Sequence, residues 1–158
     1  MTFAKKFYSM LVALSHLLKP FFLLAVRLFW GYMFFQTGSG KLMDLAGVSE
    51  YFASLHIPFP TINAAIAGTV EMFGGLCLIF GFAARLMAIP LIFTMLVALF
   101  TAEREAVLNV FSNSSDLLKA TPFTFLMAAL IIFFFGPGCF SIDAILEKYF
   151  GKKKDTWL

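Results

Sequence analysis

Arg27 and Glu71 are the residues of this chain whose type and position point most directly to chemistry. Glu71 lies in the middle of a long apolar run from Thr61 to Phe82, and Arg27 lies inside another. A charge at mid-bilayer costs roughly 2.5 to 3.5 kcal/mol on insertion scales, so an ionisable side chain kept there is paired, protonated or open to a polar cavity. A guanidinium is a fork of hydrogen-bond donors and a carboxylate accepts or exchanges a proton. Side by side, the two would hold an oxygen-bearing headgroup and handle a proton next to it.

The elements that must position them are membrane helices. Of 158 residues, 61% are hydrophobic and 13% charged, and the mean hydropathy is +0.89. No ordinary water-soluble surface can be assembled from that composition. The spacing predicts an all-α protein, a transmembrane four-helix bundle forming a single integral membrane domain over 1–158. The expected spans are about 20–36, 62–80, 86–101 and 122–135. The last two are short of the roughly 20 residues that a hydrocarbon core demands, which implies local thinning of the bilayer or a further helical turn on the outer side.

Boundary residues support these limits. Pro20 and Pro122 suit a first helical turn, with Thr121 available as a cap. Gly136-Pro137-Gly138 ends the fourth span, and Ser141 caps a short amphipathic C-terminal helix. Phe3 to Leu18 reads as an interfacial amphipathic helix, with Phe3, Phe7, Met10, Leu14 and Leu17 on one side and Lys5, Lys6, Ser9 and His16 on the other. A cleaved signal peptide fits less well, because no small-x-small site follows Met10 to Leu14.

Charge sets the expected orientation. With both termini on one side, that side collects Lys5, Lys6, Lys19, Arg85, Lys148, Lys152, Lys153 and Lys154, against Lys41, Arg104 and Lys119 opposite. The positive-inside rule then makes the N and C termini cytoplasmic. The Lys152 to Lys154 tail reads as an anchor to anionic lipid rather than a nucleic-acid patch.

At 1.5 Å per residue Arg27 and Glu71 fall at similar depths, about 10 and 14 Å from the cytoplasmic ends of their spans. Left apart, they would cost some 5 to 7 kcal/mol, comparable with the stability of a small domain. An Arg27 to Glu71 ion pair inside the bundle is therefore expected, either as a ligand pocket or as a purely structural link between helices. Arg27, Gly31, Phe34 and Gly38 form one stripe and Ala64, Gly68, Glu71 and Gly75 another, and small residues let helices approach closely. Thr94 can add a hydroxyl. Lys41 follows the flexible-looking run Gln36-Thr-Gly-Ser-Gly at the outer face and can close over the pocket mouth, whereas Arg85 reads as a snorkelling helix-end anchor.

In order along the chain stand Arg27-Leu-Phe-Trp-Gly, Gly38-Ser-Gly-Lys41-Leu, Tyr51-Phe52, Ile57-Pro58-Phe59-Pro60, Glu71-Met-Phe-Gly-Gly75 and Gly81-Phe-Ala-Ala-Arg85-Leu. This series resembles the DoxX family of small four-span bacterial membrane proteins over about Leu23 to Phe140. The resemblance implies a bacterial inner-membrane location and marks Arg27, Gly38, Lys41, Glu71, Gly75 and Arg85 as matching recurrent motif positions. It also implies a mixed functional background, including a subunit associated with thiosulfate:quinone oxidoreduction and partners of oxidative-stress enzymes.

Cys77 and Cys139 form no Cys-x-x-Cys motif, His16 and His56 offer no axial ligand pair within the bilayer, and no metal-ligand cluster or phosphate loop occurs. No catalytic set is assigned. The expectation is a subunit of a redox-related membrane assembly, with quinone as the candidate cofactor and lipid, protein partners or a second copy as neighbours. A proton-coupled transporter built on Glu71 and a non-catalytic scaffold docking through Leu42 to Pro60 are the alternatives.

Overall fold

A computed structural model describes residues 3–150; Lys152, Lys153 and Lys154 lie outside the described residues. Every regular element in it is a helix: α1 (Phe3–Met43), α2 (Leu45–Ser54), α3 (Pro60–Phe80), α4 (Ala84–Thr101), α5 (Arg104–Leu108), α6 (Ser114–Lys119), α7 (Thr121–Phe135) and α8 (Ile142–Phe150). Three of them, α1, α3 and α4, are long and apolar enough to cross a membrane, and α7 is a shorter apolar helix. Helix α1 packs along α3, α3 against α4, α4 against α7, and α7 back against α1, closing a four-membered bundle. The chain is an all-α membrane protein.

Phe34, Leu78, Leu91 and Ile132 are fully buried at the centre. Phe125 of α7 meets Phe34 edge-on at 4.6 Å between ring centroids and Trp30 at 5.1 Å. Phe29, Ile66, Phe73, Phe93 and Phe134 are exposed on the outside, where lipid tails are as apolar as they are.

Several boundaries differ from the sequence expectation. Helix α1 runs without interruption through Pro20, so Phe3 to Leu18 continues the same helix as the first span rather than forming a separate one. Its side chains are almost all exposed, beyond the reach of the bundle. The same helix continues through Gln36 to Gly40 and ends only at Met43. That run is ordered because Gly38 is pressed against α3, which offsets the low helix propensity of glycine. Ala120, not Thr121, occupies the cap position of α7. The C-terminal end of α4 and the N-terminal end of α7 are not lengthened by a turn beyond Thr101 and Thr121; the chain between them folds instead into α5 and α6. At 15 residues, α7 is roughly 22 Å long, short of a typical hydrocarbon core.

Helix α3 ends at Gly81, with φ of 65°. Phe82 N–H donates to Cys77 C=O, and Gly81 N–H to Leu78 C=O. A left-handed residue is needed for that wrap, and glycine adopts it without a Cβ clash.

Helices α1 and α3 approach each other backbone to backbone. A Cβ placed on Gly38 would overlap Met72 N and stand 2.7 Å from Gly68 O, and one on Gly75 would overlap Phe35 N and stand 2.6 Å from Gly31 O. These obstacles are backbone atoms and cannot rotate away. Gly40, two residues from Gly38, has nothing within 4 Å of such a Cβ. Gly38→Ala and Gly75→Ala are therefore each expected to destabilise the bundle by about 1–3 kcal/mol through overpacking, whereas Gly40→Ala should cost nothing. Thermal melting of the detergent-solubilised variants checks this, and identical melting of Gly38→Ala and Gly40→Ala would refute the close approach.

Candidate functional site

Glu71, on the α1-facing side of α3, is 1% exposed. Its partner is Lys41, on the last turn of α1, whose ammonium donates to both carboxylate oxygens, Oε1 and Oε2. The two form an ion pair in which the anion is hidden and the cation is 29% exposed. Opposite charges this close, in surroundings of low dielectric, attract far more strongly than in water.

Arg27 does not pair with Glu71. It is 2% exposed, and its guanidinium is spent on backbone carbonyls. Nη1 donates to Pro137 O at 2.7 Å, while Nη2 donates to Phe140 O at 2.8 Å and to Ile79 O at 3.2 Å. Ile79 belongs to the last turn of α3, whose carbonyls have no partner within the helix. A cation at that helix C-terminus also meets the negative end of the dipole. Arg27 thus ties α3 and the loop 136–140 to α1. Its Nε has no hydrogen-bond partner among the described residues.

Helix register explains the exchange of partners. Gly38 faces Gly68 to Met72, and Gly31 faces Gly75 to Ile79, so in this antiparallel pair Arg27 comes level with the end of α3. Glu71 sits about ten residues deeper, roughly 15 Å along the axis. Side chains on a helix also lean toward its N-terminus. Lys41 therefore leans inward along α1 while Glu71 leans outward along α3, and they converge. Arg27 leans away from Glu71, toward Pro20.

The remaining residues singled out by the sequence fall into separate places. Gly38 and Gly75 lie in the α1–α3 contact and set the distance that Lys41 spans. The Thr94 hydroxyl donates to Pro90 O at 2.8 Å within α4, so it is not offered to Glu71. Arg85 stands at the opposite end of the bundle from Lys41, with its guanidinium over Gly136. Helix α2, tied to the start of α3 by a 2.6 Å hydroxyl contact between Ser49 and Thr61, packs mainly against α3.

Two contributions were not visible in the sequence. Asp143 accepts from Ala83 N–H at 2.7 Å and Ala84 N–H at 3.0 Å, at the N-terminus of α4, although its place in the first turn of α8 suggested a role only within that helix. The carbonyls of Pro137 and Phe140 hold Arg27, and backbone acceptors carry no residue-type signal. Ser141 does cap α8, accepting from Ala144 N–H at 3.1 Å.

A double-mutant cycle separates the two pairings. Lys41→Gln and Glu71→Gln are expected to couple by about 1 kcal/mol or more, because Lys41→Gln alone strands a buried carboxylate, which Glu71→Gln removes. Arg27→Gln and Glu71→Gln should add within about 0.5 kcal/mol, as sites this far apart do. Additivity at 41 and 71, measured by unfolding in detergent, would contradict the ion pair.

The DoxX family model matches residues 22–104, a segment that contains both Lys41 and Glu71. A protein of Bacillus subtilis (strain 168) named "Putative oxidoreductase CatD" is 28% identical over 83 residues, which is 52% of this chain and 60% of that one. The chain thus spans less than two thirds of that relative. "Inner membrane protein YqjF" of Escherichia coli (strain K12) is 29% identical over 126 residues, 79% of this chain and 92% of its own length. "Inner membrane protein YphA" of the same organism is 33% identical over 75 residues, 48% of this chain and 54% of its own. No solved structure matches. With more than half of its length covered by the family model, the chain belongs to the DoxX family.

Proposed function

We propose that this protein is the membrane subunit of a redox-related assembly in the bacterial inner membrane, with Lys41 and Glu71 forming the polar end of a site for a quinone headgroup. The observation that carries this reading is the unequal burial of the pair, a hidden carboxylate beneath a reachable ammonium. Among the described residues the Lys41 ammonium hydrogen-bonds only to Glu71. An ammonium has a further N–H to offer a carbonyl oxygen. The residues present therefore suit an oxygen-bearing ring, with a donor at the mouth and apolar helices around it.

A bound quinone would supply reversible uptake of electrons and protons. The chain's own part is narrower. Lys41 would orient the headgroup through its ammonium, Glu71 would hold that ammonium in place, and the helices would exclude water. Electrons would come from a partner protein. The name of the Bacillus relative supports the redox class, and the names of the two Escherichia relatives support the inner-membrane location. The Lys and Arg excess at the Pro20 end supports cytoplasmic termini, with Lys41 then at the outer face. A carboxylate already paired with lysine is poorly placed for the proton cycling of a transporter.

The test is quinone retention. The wild-type protein, purified in mild detergent, is expected to carry quinone detectable by extraction and mass analysis. The double variant Lys41→Gln with Glu71→Gln removes both charges without stranding either, so it should keep the fold yet retain about tenfold less, the loss of one charge-assisted contact. Equal retention by both proteins, or none by the wild type across several preparations, would overturn the reading.

A further inference from the structure

At the end of the bundle opposite Lys41, a cavity of about 600 Å³ opens between the start of α4, the end of α7 and α8. It is independent of the Lys41–Glu71 site. Its lining includes one cation, Arg85, and two carboxylates, Asp143 and Glu147. Asp143 is already engaged, both oxygens accepting from the N-terminus of α4. Arg85 and Glu147 form no ion pair with each other or with any other described residue. The cavity thus presents an uncommitted positive group and an uncommitted negative group on its walls.

Arg85 is held by a particular backbone. A Cβ on Gly136 would lie 2.9 Å from its Nη2 and 3.1 Å from its Nε, and Gly136 has φ of 75°. The positive φ favours glycine there, and without a side chain it leaves room for the flat guanidinium. Leu86 and Phe135, both exposed, form the apolar rim. In a membrane helix such side chains face acyl tails. Lys19 stands 5.7 Å from the centre of the Phe135 ring, adding a second cation beside that rim.

The geometry points to a binding site for an ethanolamine phospholipid, with the phosphate against Arg85 and the primary ammonium against Glu147. Arginine matches phosphate oxygens as a fork. A simple anion would also face the carboxylate of Glu147, and a simple cation would face Arg85; a zwitterion satisfies both. A choline headgroup cannot donate the hydrogen bond that Glu147 can accept, and a glycerol headgroup brings no cation. The apolar rim selects a ligand with acyl chains rather than a soluble phosphoester.

The full-length protein in mild detergent, titrated with phosphatidylethanolamine, phosphatidylglycerol and phosphatidylcholine, should by native mass spectrometry retain the ethanolamine lipid in preference to both others. Arg85→Gln is expected to weaken that retention about tenfold, the loss of one charge-assisted contact, and Arg85→Lys by less. Glu147→Gln should abolish the preference over phosphatidylglycerol while phosphatidylglycerol still binds. Lys148→Gln, a charge change next door on α8 and not on the cavity wall, should alter nothing. Arg85 and Glu147 are both exposed, so unchanged melting temperatures are expected and separate loss of binding from loss of fold. Preference for phosphatidylglycerol in the wild type, unchanged retention by Arg85→Gln, or equal competition by free phosphoethanolamine would each overturn the assignment.

Discussion

The contact between α1 and α3 determines where every buried charge in this protein can go. Two glycines on each helix bring the backbones so close that a single methyl group at Gly38 or Gly75 would collide with main-chain atoms. Contact at that distance allows little sliding, because it requires a glycine of one helix against the backbone of the other. With the register set, Lys41 is one helical turn from Glu71 and leans toward it, and Arg27 is level with the frayed carbonyls at the end of α3. In a hydrophobic bundle without water to solvate misplaced charges, those meetings are close to compulsory.

The polar groups are consequently sorted by end. At the Lys41 end an ion pair is half open, and α2 packs against α3 beside it. At the Pro20 end Arg27, Asp143 and Ser141 are consumed in holding helix termini and the loop 136–140 together. The two ends differ in kind: the partly exposed Lys41 ammonium is bonded to a single carboxylate, whereas a guanidinium bonded to three carbonyls from two segments is a brace. This division is why the functional reading rests on Lys41 and Glu71, and why Arg27, although the more deeply buried cation, is assigned to architecture. Arg85 falls into neither group, since it is seated over Gly136 without an anionic partner among the described residues.

Membership of the DoxX family agrees with this division. The matched segment, 22–104, contains α1 from Phe22 onward, α2, α3 and α4, and so takes in the glycine contact and the ion pair. The carbonyl partners of Arg27 at Pro137 and Phe140, and Asp143, lie beyond it. What the matched segment carries is the tight helix pair and its one buried carboxylate with its lysine.

From residue types and spacing alone, the all-helical class, the membrane environment, the helices around the four apolar runs and the two small-residue stripes could be read, because hydropathy and helical period are local properties. That Glu71 needs a cation was equally plain, since burial of a lone carboxylate is costly whatever surrounds it. Which cation answers was decided in three dimensions. Matching Arg27 with Glu71 by depth assumed that both spans begin at the same level, whereas the glycine contact offsets them and the lean of each side chain favours Lys41. Similarly, Pro20 and the Gln36 to Gly40 run looked like boundaries because their propensities oppose helix, yet packing of Gly38 on α3 carries α1 through to Met43. The acceptors of Arg27 are main-chain oxygens of a loop, identical in every residue, and only the folded path of the chain could bring them to it.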